Sequence, residues 1–97
     1  MDPGFYEDLA GRLYGLLIGL EDRLNCDDAS IIHHFIDARH YALALEEIAR
    51  TVAHRTIGIT GQERAGILAL ADLTDALARA TQAPLKGDLV RELIPHG

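Results

Sequence analysis

The stretch LAGRLYGLLIGLEDRL, at positions 9–24 near the start of the chain, decides the fold class. Its leucines recur at intervals of three and four residues, which is the spacing of one face of an α-helix. The sequence therefore predicts a helix over residues 5–24 with an apolar stripe along one side. The stripe consists of Leu9, Leu13, Leu16, Leu17, Leu20 and Leu24.

The following 60 or so residues contain three further helical patterns. A second helix is predicted over residues 29–39, with Asp27 or Asp28 as its N-cap. A break near His40 separates it from a third helix that begins at about residue 41. Residues 55–59 contain β-branched residues and Gly58, which predicts an extended linker. Thr60 and Glu63 then fit a capping box that opens a fourth helix over residues 61–80.

A last short helix is expected near the end of the chain. Pro84 suits its first turn, and Pro95 ends it. Its apolar stripe is expected to be Leu85, Leu89 and Leu93. Together these patterns predict an all-α fold over residues 1–97, a single domain built as a small bundle of four to five helices with short connections.

Composition excludes several classes of protein. The chain has 97 residues, of which 48% are hydrophobic, and this fraction is too high for a disordered chain. A single cysteine, Cys26, excludes a disulfide framework and any zinc site built from cysteines. No basic leader or apolar segment of membrane-spanning length is visible, which predicts a cytoplasmic protein with no membrane partner.

The charge is acidic and uneven. There are 15 acidic and 9 basic side chains, a net charge of −6, which argues against direct binding of nucleic acid through phosphate contacts. Seven of the acids lie in the first 28 residues, beside only two arginines. The N-terminal part of the chain is therefore expected to suit a protein partner with a basic surface.

Three residues near the middle of the chain form a candidate metal site. His33, Asp37 and His40 follow helical spacing, so their side chains are able to converge on one ion. The plainer interpretation is a polar helix face with an Asp–His hydrogen bond, since no cysteine is nearby to complete a structural zinc site. No nucleophile motif or phosphate-binding loop is present, so we expect no enzymatic activity, no metal and no cofactor.

Gly11, Gly15 and Gly19 form a line along the first helix. Each glycine costs roughly 1 kcal/mol relative to alanine inside a helix, so the line calls for an explanation. It lies on the side away from the leucine stripe, with Tyr14 and Ile18 next to it. Three interpretations stay open: a contact surface for another protein, close packing against the last helix within the fold, and chance.

The middle of the chain resembles the Maf-type (MafI) immunity proteins of bacterial polymorphic toxin systems. The resemblance is carried by residues 35–52, FIDARHYALALEEIARTV, and residues 57–73, IGITGQERAGILALADL, and extends over roughly residues 6–80. It implies a small helical protein that binds a cognate secreted toxin, often a nuclease, and blocks it. The glycine line is not a feature of that family, and the resemblance supplies no contact residue by position.

A nuclease handles phosphate and so presents a basic cleft, which an acidic protein can enter and occlude. The alternative is a homodimeric structural or regulatory module that uses the glycine line against itself. A metal-dependent helical enzyme centred on the histidines is the more remote possibility. The expected partner-binding residues are Asp8, Tyr14, Gly15, Ile18, Gly19, Asp22, Asp27 and Asp28.

Overall fold

The computed structural model describes residues 3–94, and within them it contains five α-helices and no strand. This confirms the predicted all-α bundle. The helices are α1 (Pro3–Leu20), α2 (Cys26–Asp37), α3 (Tyr41–His54), α4 (Gly61–Thr81) and α5 (Gly87–Leu93), and a short 3₁₀ turn (Glu21–Arg23) follows α1.

The leucine stripe of α1 lies at the centre of the bundle. Leu9, Leu13, Leu17 and Leu20 are almost completely buried, because their spacing places them on one side of the helix. This side packs against α2, α3 and α4. The α-helix ends at Leu20, four residues before the predicted end, and continues as the 3₁₀ turn.

The predicted start of α2 is wrong by three residues. Asn25, not Asp27 or Asp28, is the N-cap, and its side-chain oxygen accepts a hydrogen bond from the Asp28 N–H at 2.8 Å. Asparagine caps helices as well as aspartate does, so the choice is not determined by residue type. The two aspartates instead occupy the first turn, where the positive end of the helix dipole stabilises carboxylates.

The start of α3 at Tyr41 and the start of α4 are as predicted. The capping box of α4 is confirmed in both directions. The Glu63 N–H donates to Thr60 Oγ1 at 3.0 Å, and the Thr60 N–H donates to Glu63 Oε1 at 2.9 Å. These bonds fix the Glu63 carboxylate at the beginning of α4, where it also serves the candidate site below.

The prediction for α5 is wrong in its start and its apolar side. The helix begins at Gly87, because the Asp75 carboxylate of α4 accepts a hydrogen bond from the Gly87 N–H at 2.9 Å. Val90 and the C-cap Ile94 are buried. Of the predicted stripe, Leu93 packs against the core, whereas Leu85 is exposed. Pro95 lies outside the described residues.

One hydrophobic core is shared by all five helices, with α5 closing on α3 and α4. The leucine side of α1 is covered by the rest of the bundle. Over residues 3–94, no helix combines the length and the apolar character needed to cross a bilayer.

Candidate partner-binding surface

The glycine line of α1 faces open space. A Cβ atom built at Gly11 or Gly15 would have nothing within 4 Å, and one at Gly19 would meet only Glu63 Oε2, at an ordinary contact distance of 3.7 Å. Close packing of the glycine line against the last helix is therefore wrong. Packing within the chain does not require small residues here, which leaves contact with another protein or chance.

Ile18 projects from the same side of the helix. Its side chain is 65% exposed, the most of any large hydrophobic residue in the described part of the chain. Burying such a side chain against a partner contributes about 2 kcal/mol. We refer to Asp8, Gly11, Gly15 and Ile18, with Asp22 of the following 3₁₀ turn, as the outer face of α1.

A groove of about 470 Å³ runs between α1 and α4, beside the outer face of α1. Small residues line both sides of the groove, Gly15 and Gly19 on α1 and Gly66 and Ala69 on α4, so few side-chain atoms project into it. Leu16 and Leu70 also line it. Small walls of this kind allow the backbone of a partner segment to approach closely.

Tyr14 is engaged within the fold. Its hydroxyl donates a hydrogen bond to Asp37 Oδ1, and its ring lies edge-on to the His33 ring, with 5.3 Å between centroids. The hydrogen bond to Asp37 raises the pKa of the Tyr14 hydroxyl. Tyr14 thus anchors α1 to α2 and is only half-buried, so one side of the ring lies at the edge of the outer face of α1.

The fold separates the N-terminal acids into paired and unpaired groups. Asp8 forms an ion pair with Arg12, at 3.0 Å between Oδ2 and Nε. Asp28 is only 9% exposed, and its Oδ2 lies 2.9 Å from Arg55 Nε. The expectation that Asp28 contacts a partner is therefore corrected, because the helical period turns this carboxylate inward and an arginine neutralises it.

Three exposed acids at the junction of α1 and α2 have no ion-pair or hydrogen-bond partner among residues 3–94. We refer to them as the acidic corner, and they are Glu21, Asp22 and Asp27. Free carboxylates within a few residues of each other attract a basic surface. Asp22 and Asp27 are among the partner-binding residues predicted from the sequence, but nothing in the sequence distinguishes them from the acids that form ion pairs.

A second charged group, missed by the sequence interpretation, fixes the acidic corner to α4. The Arg23 guanidinium donates two hydrogen bonds to Glu63, at 2.8 Å to Oε1 and 2.7 Å to Oε2, and a third to the Gly58 carbonyl at 2.9 Å. The Arg23 guanidinium and the Thr60 N–H lower the pKa of Glu63 from 4.5 to about 2. Because 40 positions separate the two residues, no local pattern signals this pair.

The histidine cluster forms the plainer of the two predicted arrangements. His33 Nδ1 lies 3.1 Å from Asp37 Oδ2, which is the Asp–His contact expected of a polar helix face. Across the part of the chain that the structure describes, no three histidine, cysteine, aspartate or glutamate side chains are arranged to hold a metal ion. Cys26 is exposed at the start of α2.

No protein-family model, curated protein or solved structure matches this chain.

Proposed function

We propose that this chain is an immunity protein, which binds a cognate bacterial secreted toxin in the cytoplasm of the producing cell and neutralises it. The observation that carries the proposal is the outer face of α1. There an exposed isoleucine stands among glycines that the fold does not need, next to the unpaired acidic corner. Apolar anchors with a charged rim are typical of protein-binding surfaces.

The proposed action is occlusion of the toxin's active site, without catalysis and without a cofactor. A nuclease toxin concentrates positive charge where it holds phosphate, so Asp22 and Asp27 would steer the encounter and lie against that charge. Ile18 would be the apolar anchor, and Gly15 and Gly19 would let the toxin backbone approach. Asp8 and Tyr14 would lie at the edge of the surface. Both side chains already have partners within the fold, so they would contribute less to binding than Ile18 and Asp22.

Protection of cells tests the proposal directly. If this proposal is correct, we expect the gene immediately upstream to encode a large secreted protein. The probe is the C-terminal domain of that protein, expressed with and without this chain. We expect the wild-type chain to restore growth and Ile18→Ser combined with Asp22→Asn to abolish protection. The matched control is Ile31→Ser with Glu92→Gln, another exposed isoleucine and another unpaired acid. Failure of the wild type to protect, or equal protection by all variants, would overturn the proposal.

The electrostatic part of the proposal has its own signature. Association steered by the acidic corner slows as salt screens the charges, since the Debye length falls from about 10 Å at 0.1 M salt to about 3 Å at 1 M. Stopped-flow association rates with the toxin domain should fall at least about tenfold over this range. Asp22→Asn with Asp27→Asn should flatten this dependence, and a rate unaffected by salt in the wild type would contradict steering.

The alternative is a homodimeric structural or regulatory module, and the same exposed face supports it. Growth protection distinguishes the two, because a purely self-associating module has no effect on a toxin domain.

A further inference from the structure

We infer that in the free protein the outer face of α1 docks antiparallel on the same face of a second copy of this chain. In this arrangement Arg12 of each copy pairs with Asp22 of the other. The inference concerns the chain alone and does not rest on the proposed function. Three observations carry it: the shape of the face, the positions of its charges and the exposure of its one large apolar side chain.

The face carries a projection and a hollow together. Ile18 projects into solvent, and one turn earlier Gly15 leaves open space with nothing within 4 Å of its missing side chain. Gly11 continues the hollow for another turn. A two-fold symmetric interface needs a surface that is complementary to itself, and a face with both features meets that requirement.

The helical register brings projection and hollow together. Gly11, Gly15 and Ile18 fall within about 60° around the helix axis, so they point at a common partner. When two copies of α1 run antiparallel and cross between positions 16 and 17, Ile18 of one copy stands opposite Gly15 of the other. The same crossing places each Ile18 next to the half-exposed ring of the other copy's Tyr14.

The charges agree with this crossing. It brings Arg12 of one copy level with Glu21 of the other and next to its Asp22, and it does so twice because of the two-fold axis. Within its own chain Arg12 uses only Nε for Asp8, at 3.0 Å, and its side chain is 55% exposed. A guanidinium has five N–H donors, so the Nη groups remain for a second carboxylate. Among residues 3–94, no side chain forms a hydrogen bond or an ion pair with the Asp22 carboxylate, and the neighbouring Arg23 is bonded to Glu63.

The contact area sets the expected strength. α1 has 18 residues and so is about 27 Å long, and one helix crossing buries less than the roughly 800 Å² per partner of a standard stable interface. We therefore expect a reversible dimer with a dissociation constant on the order of 10 µM. Analytical ultracentrifugation from about 1 to 500 µM covers both states at this affinity. A wild-type chain that is monomeric throughout would overturn the inference.

Reversing the charges of Arg12 and Asp22 tests the interface by a loss of dimerisation in each single variant and by its recovery when the two changes are combined. Arg12→Asp and Asp22→Arg should each weaken the dimer at least about tenfold, because each places like charges opposite one another twice. The double variant, and an equimolar mixture of the two single variants, should regain dimerisation. The matched control is Arg50→Asp, since Arg50 is 52% exposed and also pairs four residues back, with Glu46. A dimer insensitive to both exchanges, or broken equally by the control, would contradict the inference.

Filling the hollow separates the interface from folding. A Cβ at Gly15 meets nothing within 4 Å in the single chain, and leucine favours a helix over glycine, so circular dichroism of Gly15→Leu should show an intact helical protein with an unchanged or higher melting temperature. The dimer should weaken at least about tenfold, because Ile18 of the other copy then meets a side chain. An undiminished dimer in a folded Gly15→Leu protein would place self-association elsewhere.

The dimer and the proposed toxin complex share Ile18 and Asp22, so they exclude each other. A tight partner would displace the second copy and give a complex with one copy of this chain. Because the dimer is measured on the isolated protein and protection is measured in cells, failure of either result leaves the other intact.

Discussion

Gly87 and Gly15 show opposite uses of the same residue. At Gly87, the start of α5, a Cβ would lie 2.6 Å from the carboxylate carbon of Asp75, so packing within the chain requires glycine. At Gly15, in the middle of α1, the space for a side chain is empty. The fold explains the first glycine and leaves the second unexplained, and an unexplained glycine inside a helix points to a contact outside the chain.

The charges of the two regions differ in the same way. Arg91 of α5 contacts Asp72, Asp75 and Asp88, with nitrogen–oxygen distances of 2.6, 3.1 and 2.9 Å. Asp72 and Asp75 belong to α4, so these two ion pairs hold the last helix on it, whereas Asp88 lies on α5 itself. The acidic corner has no such partner, so its charges are available to a second molecule. The charges of the α5 region therefore stabilise the fold, whereas the acidic corner carries charges that contacts within residues 3–94 leave unpaired.

The largest expected effect comes from removing the carboxylate that holds α5. Asp75→Ala leaves the buried Gly87 N–H without an acceptor and Arg91 without its most buried partner, so we expect a loss of about 3 kcal/mol of unfolding free energy. Urea denaturation followed by circular dichroism at about 0.5 µM protein measures it where most of the protein is monomeric. Asp22→Ala is the control and should change stability by less than about 0.5 kcal/mol. A loss below about 1 kcal/mol in Asp75→Ala would refute the assigned role.

Alanine at the two contrasted glycines should shift stability in opposite directions. Gly87→Ala forces the Asp75 carboxylate to move and should cost about 2 kcal/mol. Gly15→Ala should stabilise the monomer by about 1 kcal/mol, because alanine favours the helix and meets no neighbour. The same urea titrations measure both. If both variants lose stability, the glycine line serves the fold and the contrast is wrong.

The sequence alone predicts the fold well because its signals are local. Leucine spacing defines α1, and a capping box of four residues defines the start of α4. The errors come from contacts between distant residues. The start of α5 depends on Asp75, twelve positions earlier, and the N-cap of α2 depends on competition among three polar neighbours of equal capping strength.

The candidate site is predictable only in part for the same reason. Ile18 and the glycine line could be placed away from the core by helical periodicity. Asp27 and Asp28 are adjacent and chemically identical, yet one is exposed and free while the other is buried against Arg55. That distinction requires the position of the end of α3, which a single sequence does not give. The Arg23–Glu63 pair was missed on similar grounds.

The ion pair between Arg23 and Glu63 should make the unfolding free energy depend on pH in the acidic range. Its pKa is lowered to about 2, so its contribution is complete above its ordinary value of 4.5 and is lost as the pH falls from there towards 2. Glu63→Gln should therefore be less stable than the wild type by about 1 kcal/mol at pH 7. The difference should shrink to zero near pH 2. Urea titrations at pH 7, 4 and 2 measure it, and a difference independent of pH would contradict the ion pair.

The smallest expected change in stability concerns a residue with a strained backbone in the connection between α3 and α4. Thr56, at the end of α3, has a φ of 53°, a left-handed conformation that a β-branched residue adopts at a cost. Thr56→Gly should raise the unfolding free energy by about 0.5 kcal/mol, after the greater freedom of glycine in the unfolded chain is counted. Differential scanning calorimetry is sensitive enough for this change. A lower melting temperature would show that the threonine side chain makes a compensating contact.

We propose that the outer face of α1 is a binding surface that the fold does not use. The most direct measurement is the affinity of Ile18→Asp for the proposed toxin partner, with the unfolding free energy measured on the same sample. We expect a loss of affinity of at least about 100-fold, the equivalent of about 2.7 kcal/mol, with stability within about 0.5 kcal/mol of the wild type. Unchanged affinity in a folded protein would contradict it.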